Sequence, residues 1–216
     1  MVMQLENIKG ILFDFDGVLA ETMEDHFKAW KKALGDFGAE LKPNDYFPWE
    51  GMALAELAKR FCRKNNLDTR RYQEIIEKKE QYYLQDHQFK LYPHAEAFID
   101  CLKTKQLPIG IVSAGLYDRL LQSVPPTFLN KFNVIITGDK TKRGKPFPDP
   151  YLKGAEELKL DIKNCAVIEN APLGIKSAKK AGAYCIAICS TLDQGLLTGA
   201  DEIVKEIKDC AALMGC

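Results

Sequence analysis

The predicted fold depends above all on the stretch Ile11-Leu12-Phe13-Asp14-Phe15-Asp16-Gly17-Val18-Leu19. It begins with a continuous apolar run, which is typical of a strand buried on both faces of a parallel sheet. Two acids and Gly17 follow, and glycine adopts backbone conformations that a Cβ disfavours. Because ligands of open α/β sheets bind where strands end, we expect a functional site at Asp14 and Asp16. Taken alone, so short a motif is also compatible with a polar turn that has no function.

The composition is that of a globular protein with one large core. The chain has 216 residues, of which 46% are hydrophobic, so it can bury a sizeable core. Its 30 basic and 30 acidic residues cancel, which argues against binding to nucleic acid or to an anionic membrane. No apolar stretch is long enough to cross a bilayer. Residues 1–9 contain Glu6 and Asn7 and no apolar signal core, so we expect a cytoplasmic protein.

The cysteines are odd in number, scattered and without CxxC spacing. This pattern predicts reduced thiols and no metal site built from cysteine. The seven are Cys62, Cys101, Cys165, Cys185, Cys189, Cys210 and Cys216.

The chain divides into two regions with different hydrophobic patterns. Residues 21–91 have apolar side chains at helical spacing, such as Phe27, Trp30 and Leu34. From residue 92 onward, apolar runs alternate with helical patterns, which indicates a parallel sheet. Strands are predicted at 8–13, 109–113, 134–137, 165–168, 184–188 and 202–204, and helices of the second region at 94–105, 149–159 and 173–181.

The first strand must belong to the same sheet as the later ones, so the helical block is an insert between them. The predicted fold class is α/β, a doubly wound parallel sheet with a Rossmann-like core and an inserted α-helical cap domain. The core would comprise residues 1–20 and 93–216, and the cap residues 21–92. The cap would lie over the carboxyl ends of the strands, where the two acids are expected.

Three further segments follow predicted strands or open helices. The hydroxyl and backbone N–H groups of Ser113-Ala114-Gly115 could hold a phosphate oxygen, although serine before a helix is often only an N-cap. Lys145 is stiffened by two nearby prolines, but a single loop lysine is usually solvated. Glu169-Asn170 places an acid and an amide after a strand, and Asn170 could equally be an N-cap.

Together the four segments suit phosphoryl transfer. Acids at two strand ends can bind Mg²⁺, which prefers oxygen ligands. A lysine and backbone amides can neutralise the phosphoryl oxygens. One carboxylate can attack phosphorus while the other carries the proton.

These motifs, in this order, resemble the haloacid dehalogenase-like hydrolase superfamily, in the branch whose helical cap follows the first motif. The closest resemblance is to the β-phosphoglucomutase-like phosphatases. The resemblance implies that Asp14 is the nucleophile and that Asp16 is the general acid and then the general base. Asp16 would also offer its main-chain carbonyl to the metal. The resemblance implies catalytic roles for Asp14, Asp16 and Lys145, phosphate or substrate binding by Gly17, His26, Ser113, Ala114 and Lys145, and Mg²⁺ binding by Asp14, Asp16, Glu169 and Asn170.

The chain departs from the family pattern at the last motif. The family usually has a second acid where this chain has Asn170, and a serine where it has Ala171. Losing one negative charge should weaken metal affinity, so Asn170→Asp is expected to lower the Mg²⁺ concentration needed for activity. Glu169 could take over direct coordination. A non-catalytic phosphate-binding protein is an alternative, although such a protein would not need two acids.

The cap segment bears on the choice between phosphatase and mutase. His26 matches a hinge histidine of the mutase-like branch, but its position alone also fits a surface residue in the first turn of a helix. The mutases carry an arginine shortly after the glycine matching Gly51, and Met52-Ala53-Leu54 offers none. We therefore expect a phosphatase, with a β-phosphoglucomutase-type activity as the alternative.

The charged residues of the cap are expected to be solvated, and the nearby tryptophan is expected to pack against other side chains. Lys59, Arg60, Lys78 and Lys79 could replace the missing arginine, but charges on cap helices are usually solvated. A Schiff base at Lys59 or Lys78 would instead indicate a phosphonoacetaldehyde hydrolase. Trp49 could face a ligand, but packing is its expected role. The expected partner is a small phosphorylated metabolite, with the chain as a monomer or weak dimer.

Overall fold

A computed structural model describes residues 6–216, which form a six-stranded, all-parallel sheet. The strand order is β3-β2-β1-β4-β5-β6, so the first strand lies in the middle between β2 and β4. The predicted doubly wound α/β fold is thus confirmed. The strands are β1 (Gly10–Phe13), β2 (Ile109–Val112), β3 (Val134–Ile136), β4 (Cys165–Glu169), β5 (Tyr184–Ile188) and β6 (Glu202–Val204).

Both faces of the sheet are covered, which explains why the strands are apolar without alternation. Ile11 and Phe13 of β1 are fully buried in one hydrophobic cluster, and Leu12 is fully buried in another. Successive side chains of a strand point to opposite faces, so the two clusters lie on opposite sides of the sheet. All four residues of β1 are buried.

Ten α-helices surround and extend the sheet in the described part of the chain. The sequence does not predict three of them, Tyr117–Ser123, Pro126–Leu129 and Ile207–Leu213, because they are short and carry little periodic signal. Gly182 ends the helix Pro172–Ala181 in a left-handed conformation (φ 92°), as expected for a helix C-terminus. The helices are α1 (Met23–Gly35), α2 (Pro43–Tyr46), α3 (Leu54–Lys64), α4 (Tyr72–Asp86), α5 (Ala95–Thr104), α6 (Tyr117–Ser123), α7 (Pro126–Leu129), α8 (Asp149–Glu157), α9 (Pro172–Ala181) and α10 (Ile207–Leu213).

Residues 23–86, which contain helices α1 to α4 and the loops between them, are called the cap segment below. They have a hydrophobic cluster of their own, which includes Trp30, Phe61 and Ile75. The two connections to the core run side by side, since the N–H of Glu21 donates to the Lys90 carbonyl at 2.8 Å. The division into a core of residues 1–20 and 93–216 and a cap of residues 21–92 stays a prediction, and residues 1–5 of that core lie outside the described residues.

One prediction about cysteine chemistry is wrong. Cys101 and Cys216 form a disulfide, and their Cα atoms are 5.8 Å apart. Helix α10 packs against α5, which brings the end of the chain to Cys101 across 115 residues of sequence. Such a pairing has no signature in cysteine spacing. The remaining five cysteines are free, in agreement with the prediction for them.

No helix within residues 6–216 combines the length and the apolarity that a membrane crossing requires.

Candidate active site

The site is built around Lys145, which bridges two carboxylates at the ends of adjacent strands. Asp14 follows β1 and Glu169 ends β4, and these strands pair directly. Lys145 Nζ donates to Asp14 Oδ1 at 2.5 Å and to Glu169 Oε1 at 2.6 Å. All three side chains are buried. The fold therefore brings Asp14, which is 131 positions from Lys145 in sequence, and Glu169, which is 24 positions away, into contact with the same ammonium group.

Glu169 is held from every side. The Tyr151 hydroxyl donates to Oε1 at 2.7 Å, and the N–H groups of Asn170 and Ala171 donate to Oε2 at 3.0 and 3.2 Å. A Cβ at Gly174 would lie only 1.7 Å from Oε1, so glycine is required in this first turn of α9. Oε1 thus contacts Lys145, and the two backbone N–H groups hold Oε2 in place. Direct coordination of Mg²⁺ by Glu169 stays a prediction.

The charges of this cluster depend on one another. Burial raises the pKa of Asp14 to about 7; Lys145 opposes this rise and Glu169 adds to it. Burial lowers the pKa of Lys145, but the carboxylates of Asp14 and Glu169 outweigh burial and raise it above its usual value. Lys145 therefore remains protonated and can pair with an anion.

Asp16, the second acid of the motif, lies within hydrogen-bond distance of four side chains. Thr22 Oγ1 donates to Oδ1 at 2.8 Å, and His26 Nε2 lies 3.0 Å from the same oxygen. Arg119 Nη2 donates to Oδ2 at 2.8 Å, and Ser113 Oγ lies 3.3 Å from that oxygen. Burial alone would raise the pKa of Asp16, but Arg119 and then His26 hold it well below its usual range. The carboxylate is ionised in this arrangement.

Arg119 is a site residue that sequence reasoning missed. It lies on α6, is 3% exposed, and passes under Gly115, where a Cβ would be 2.0 Å from its Nη2 atom. Its guanidinium also lies 5.3 Å from the ring centroid of Tyr83 in the cap segment. An arginine on a short helix normally faces solvent, so its type gave no signal. The glycine directly after the Ser113-Ala114 pair was the available hint.

His26 is buried beside Asp16, so its interpretation as a surface residue is wrong. Its ring stacks on Tyr83 with centroids 4.1 Å apart. Burial, followed by the nearby charge of Lys79, lowers the pKa of His26 to about 4. The ring is therefore neutral at pH 7 and donates its Nε2 proton to Asp16. The predicted part of His26 in substrate binding stays a prediction.

The buried histidine predicts a loss of stability on acidification. The pKa of His26 is about 4 in the folded protein and near 6.5 when exposed, so the unfolded chain binds more protons between these values. The His26 contribution is present above pH 6.5 and is lost as the pH falls toward 4, for a cost of roughly 3 kcal/mol. Urea unfolding of the wild type and His26→Gln at pH 7 and pH 4.5 measures it. We expect a smaller acid-induced loss in the variant, and equal losses would contradict the assignment.

The predicted phosphate-binding residues surround the two acids. Ser113 Oγ accepts the Gly115 N–H at 3.0 Å, and Ala114 lines the same cavity as Asp14 and Asp16. Gly17 has φ 87°, and a Cβ there would lie 2.2 Å from Asn170 Nδ2. Their geometry fits a phosphate cradle, but phosphate binding by these residues stays a prediction.

The cap segment contributes charged residues to this cavity. The cavity has a volume of about 50 Å³ and is lined by Asp14, Asp16 and Arg119 of the core and by His26, Glu50 and Lys79 of the cap segment. Lys79 is 2% exposed and donates to Glu80 at 2.8 Å, so the expectation of a solvated lysine is wrong for this residue.

The other cap charges and Trp49 lie away from the cavity lining. Lys59 pairs with Glu56 and Lys78 with Asp36, and neither lysine lines the cavity. Trp49 packs against the Arg60 guanidinium at 3.5 Å, which agrees with a packing role.

A second carboxylate reaches the corner of Asn170 from the cap segment. Glu50 is 2% exposed, and its Oε2 accepts from Asn170 Nδ2 at 3.1 Å and from Thr191 Oγ1 at 2.9 Å. Asn170 also donates to Thr191 Oγ1 at 2.9 Å, so it is not the N-cap of α9; Ala171 is. Burial, with added repulsion from Asp14 and Glu169, raises the pKa of Glu50 to about 8 despite the Thr191 hydrogen bond.

The corner fits Mg²⁺ by the chemistry of its donors. Glu50 Oε1 and Asn170 Oδ1 are buried and have no hydrogen-bond partner within residues 6–216. Oxygen atoms of this kind are the ligands that Mg²⁺ prefers. In the described part of the chain, no three His, Cys, Asp or Glu side chains form a ready metal cluster. An amide and a main-chain carbonyl fall outside that set, and both belong to the predicted ligands.

A larger cleft opens between the cap segment and the core. Its volume is about 700 Å³, and Lys145 and Ala114 are among the residues that line it. Its cap side presents Met52 and Leu54, and its core side presents Lys142 and Arg143. The cleft has room for the rest of a phosphorylated metabolite.

Comparison with known proteins agrees with this geometry. Residues 11–188 match the family described as haloacid dehalogenase-like hydrolase. The chain is 28% identical to hexitol phosphatase A of Escherichia coli over 93% of this chain and 92% of that protein. It is 26% identical to beta-phosphoglucomutase of Bacillus subtilis over 94% and 91%, respectively. The crystal structure of a hydrolase from Pseudomonas syringae superposes with a TM-score of 0.83 at 25% identity, over 92% of this chain and 94% of that one.

Proposed function

The chain belongs to the haloacid dehalogenase-like hydrolase family, and from this premise we propose that it is a Mg²⁺-dependent phosphatase of a small sugar or polyol phosphate. The reaction would pass through an aspartyl-phosphate on Asp14. The observation that carries the proposal is the bridge of Lys145 between Asp14 and Glu169 at 2.5 and 2.6 Å, beside an independently fixed Asp16. This arrangement supports one carboxylate for attack and another for proton transfer.

Asp14 attacks phosphorus in the first half-reaction. Its Oδ1 atom is held by Lys145, and the phosphoryl group would enter the cavity that Asp14, Asp16 and Ala114 line. Lys145 and the Ser113 hydroxyl would then contact the phosphoryl oxygens and offset their charge. The bond from phosphorus to the leaving oxygen breaks as the bond to Asp14 forms.

Asp16 would act as the general acid in the first half-reaction and as the general base in the second. It gives a proton to the leaving alkoxide first, and takes one from the water that attacks the aspartyl-phosphate afterwards. The contacts from Arg119 and His26 favour the ionised carboxylate, which is the form that the second half-reaction needs. For the first, substrate binding has to loosen one of these contacts so that Asp16 can carry a proton.

The residues that would hold Mg²⁺ are Asp14, the main-chain carbonyl of Asp16, and Asn170. When bound, the metal supplies the positive charge that lets a phosphate dianion approach a carboxylate. Glu169 is proposed to act on the site by positioning Lys145, because its oxygens already accept four hydrogen bonds.

The cleft and the relatives support the substrate class. The 700 Å³ cleft beside Lys145 can hold a leaving group of sugar size. One relative is named as a phosphatase of hexitols. The cytoplasmic location and the monomeric or weakly dimeric state stay predictions.

A mutase is the second candidate, because one relative is named beta-phosphoglucomutase. The cap segment has no arginine directly after Gly51, but Lys79 and Arg119 bring two buried cations to the cavity. A mutase would convert one sugar phosphate into its isomer in the presence of a sugar bisphosphate. Isomer formation that outpaces phosphate release would favour it. A non-catalytic phosphate-binding protein would show neither.

A phosphate-release screen tests the proposal. The protein is incubated with a panel of sugar, polyol and nucleotide phosphates in Mg²⁺, and in parallel with EDTA. We expect release from at least one sugar or polyol phosphate with Mg²⁺ and a strong loss in EDTA. Failure to hydrolyse any panel member or p-nitrophenyl phosphate at any Mg²⁺ concentration would contradict the proposal.

A further inference from the structure

We propose that Glu50 of the cap segment completes the magnesium site, taking the place of the acid that is missing at position 170. The inference rests on the proposed function, because it assumes that the Asn170 corner holds Mg²⁺. It adds a ligand that the core does not supply. It also makes metal binding depend on the position of the cap segment.

Glu50 of the cap segment contacts Asn170 directly. These residues are 120 positions apart, yet Glu50 Oε2 lies 3.1 Å from Asn170 Nδ2. Thr191 Oγ1 contacts both, at 2.9 Å in each case. A side chain of the cap segment therefore reaches the strand-end corner where the second acid of the last motif would be.

Both side chains also have an oxygen without a hydrogen-bond partner among the described residues. Glu50 Oε1 and Asn170 Oδ1 are buried and accept no hydrogen bond from any described residue. An unsatisfied buried acceptor costs about 1–3 kcal/mol, and more when it is charged. If the contact only joined the cap segment to the core, no interaction would offset this free-energy cost. Coordination to a cation would satisfy these oxygens.

Charge also favours Glu50 as a ligand. Asparagine at position 170 leaves the corner one negative charge short of an aspartate there, and Glu50 can restore it by releasing its proton as the cation binds. Glu169 is less suited to do so, since Lys145, Tyr151 and two backbone N–H groups already occupy its oxygens. Glu50 also lines the same cavity as Asp14 and Asp16. The carboxylate is thus available beside the proposed ligands.

The loop geometry places Glu50 for this role. The loop turns at Gly51, whose φ of 76° favours glycine, and its Cβ position would be 3.6 Å from the Lys145 side chain. Glu50 therefore approaches the site only when the cap segment packs against the core. Mg²⁺ and the closed cap segment should then favour each other, since coupling of two equilibria is reciprocal.

Calorimetric titration of the substrate-free, full-length protein with MgCl₂ tests the inference. Glu50→Gln keeps the shape and removes the charge, so we expect Mg²⁺ affinity about tenfold weaker or worse. Moving the charge back in the double variant Glu50→Gln/Asn170→Asp should restore affinity to within about threefold of the wild type. Glu74→Gln, which removes an exposed glutamate of the cap segment, is the matched control and should bind as the wild type does.

Thermal unfolding supplies the second readout. In EDTA, Glu50→Gln should melt at or above the wild-type temperature, because a neutral amide of the same shape replaces a buried carboxyl group that has no counter-ion. Added Mg²⁺ should raise the melting temperature of the wild type more than that of the variant. Equal Mg²⁺ affinity in wild type and Glu50→Gln, or no recovery in the double variant, would overturn the inference. Because no substrate is present, either result leaves the phosphatase screen to be judged on its own.

Discussion

Replacement of Asp14 with asparagine is expected to lower kcat for phosphate release by about 10⁴-fold or more, since the attacking carboxylate oxygen is lost. The amide is nearly the same size, so the packing after β1 should survive. Asp14 is 5% exposed, and among the described residues its side chain accepts a hydrogen bond from Lys145 Nζ alone. A folded variant with a much lower kcat would therefore show that the loss is in the chemical step and not in the fold.

Steady-state phosphate release with the best substrate of the screen measures this effect. Asp118→Asn, an exposed residue on α6, is the matched control and should keep wild-type kcat. Substrate binding by Asp14→Asn should persist, because Lys145 and Ser113 remain. Residual activity within about tenfold of the wild type would contradict the assignment of Asp14 as the nucleophile.

Replacement of Lys145 with methionine is expected to destabilise the fold by about 3–5 kcal/mol at pH 7.5, because it leaves two buried carboxylates without their cation. Asp14 and Glu169 share this ammonium group, and both lie in the interior at the centre of the sheet. Methionine preserves most of the apolar stem. The loss therefore reports the missing charge rather than a cavity.

Urea unfolding measures the Lys145→Met effect, with Lys142→Met as the control in the same loop. Lys142 is exposed, and its replacement should change stability by no more than about 0.5 kcal/mol. The same Lys145 variant should release phosphate far more slowly, since the phosphoryl oxygens lose their cation. A stability change equal to that of the control would show that the bridge between Asp14 and Glu169 is not formed.

The sheet and the strand-end residues could be predicted because they depend on local pattern. An uninterrupted apolar run followed by polar residues identifies a buried parallel strand and its carboxyl end. Asp14, Asp16, Ser113 and Glu169 were found in this way, and the parallel sheet then brings them to one edge. Lys145 needed the family resemblance, because a loop lysine carries no such pattern.

The remaining parts of the site depend on contacts between distant segments. Arg119 reaches Asp16 only because Gly115 leaves room for its guanidinium. Glu50 meets Asn170 only because the cap segment folds back over the core. The Cys101–Cys216 disulfide depends on the packing of α10 against α5. None of these leaves a periodic or spacing signal in one sequence.

The two acids of the Asp14–Gly17 motif have different surroundings. Asp14 is paired with the Lys145 ammonium group, whereas Asp16 contacts His26 of the cap segment and Arg119. The same geometry predicts that Asp14, and not Asp16, becomes phosphorylated.

Chemical trapping of the covalent intermediate identifies which of the two acids is phosphorylated. The protein is mixed with its best substrate and Mg²⁺, quenched with acid, reduced with sodium borohydride and digested for mass spectrometry. Reduction of an aspartyl-phosphate yields homoserine, and we predict homoserine at position 14 in the wild type only when substrate is present. Substrate turnover without any modification at position 14, or with the modification at position 16, would contradict the account.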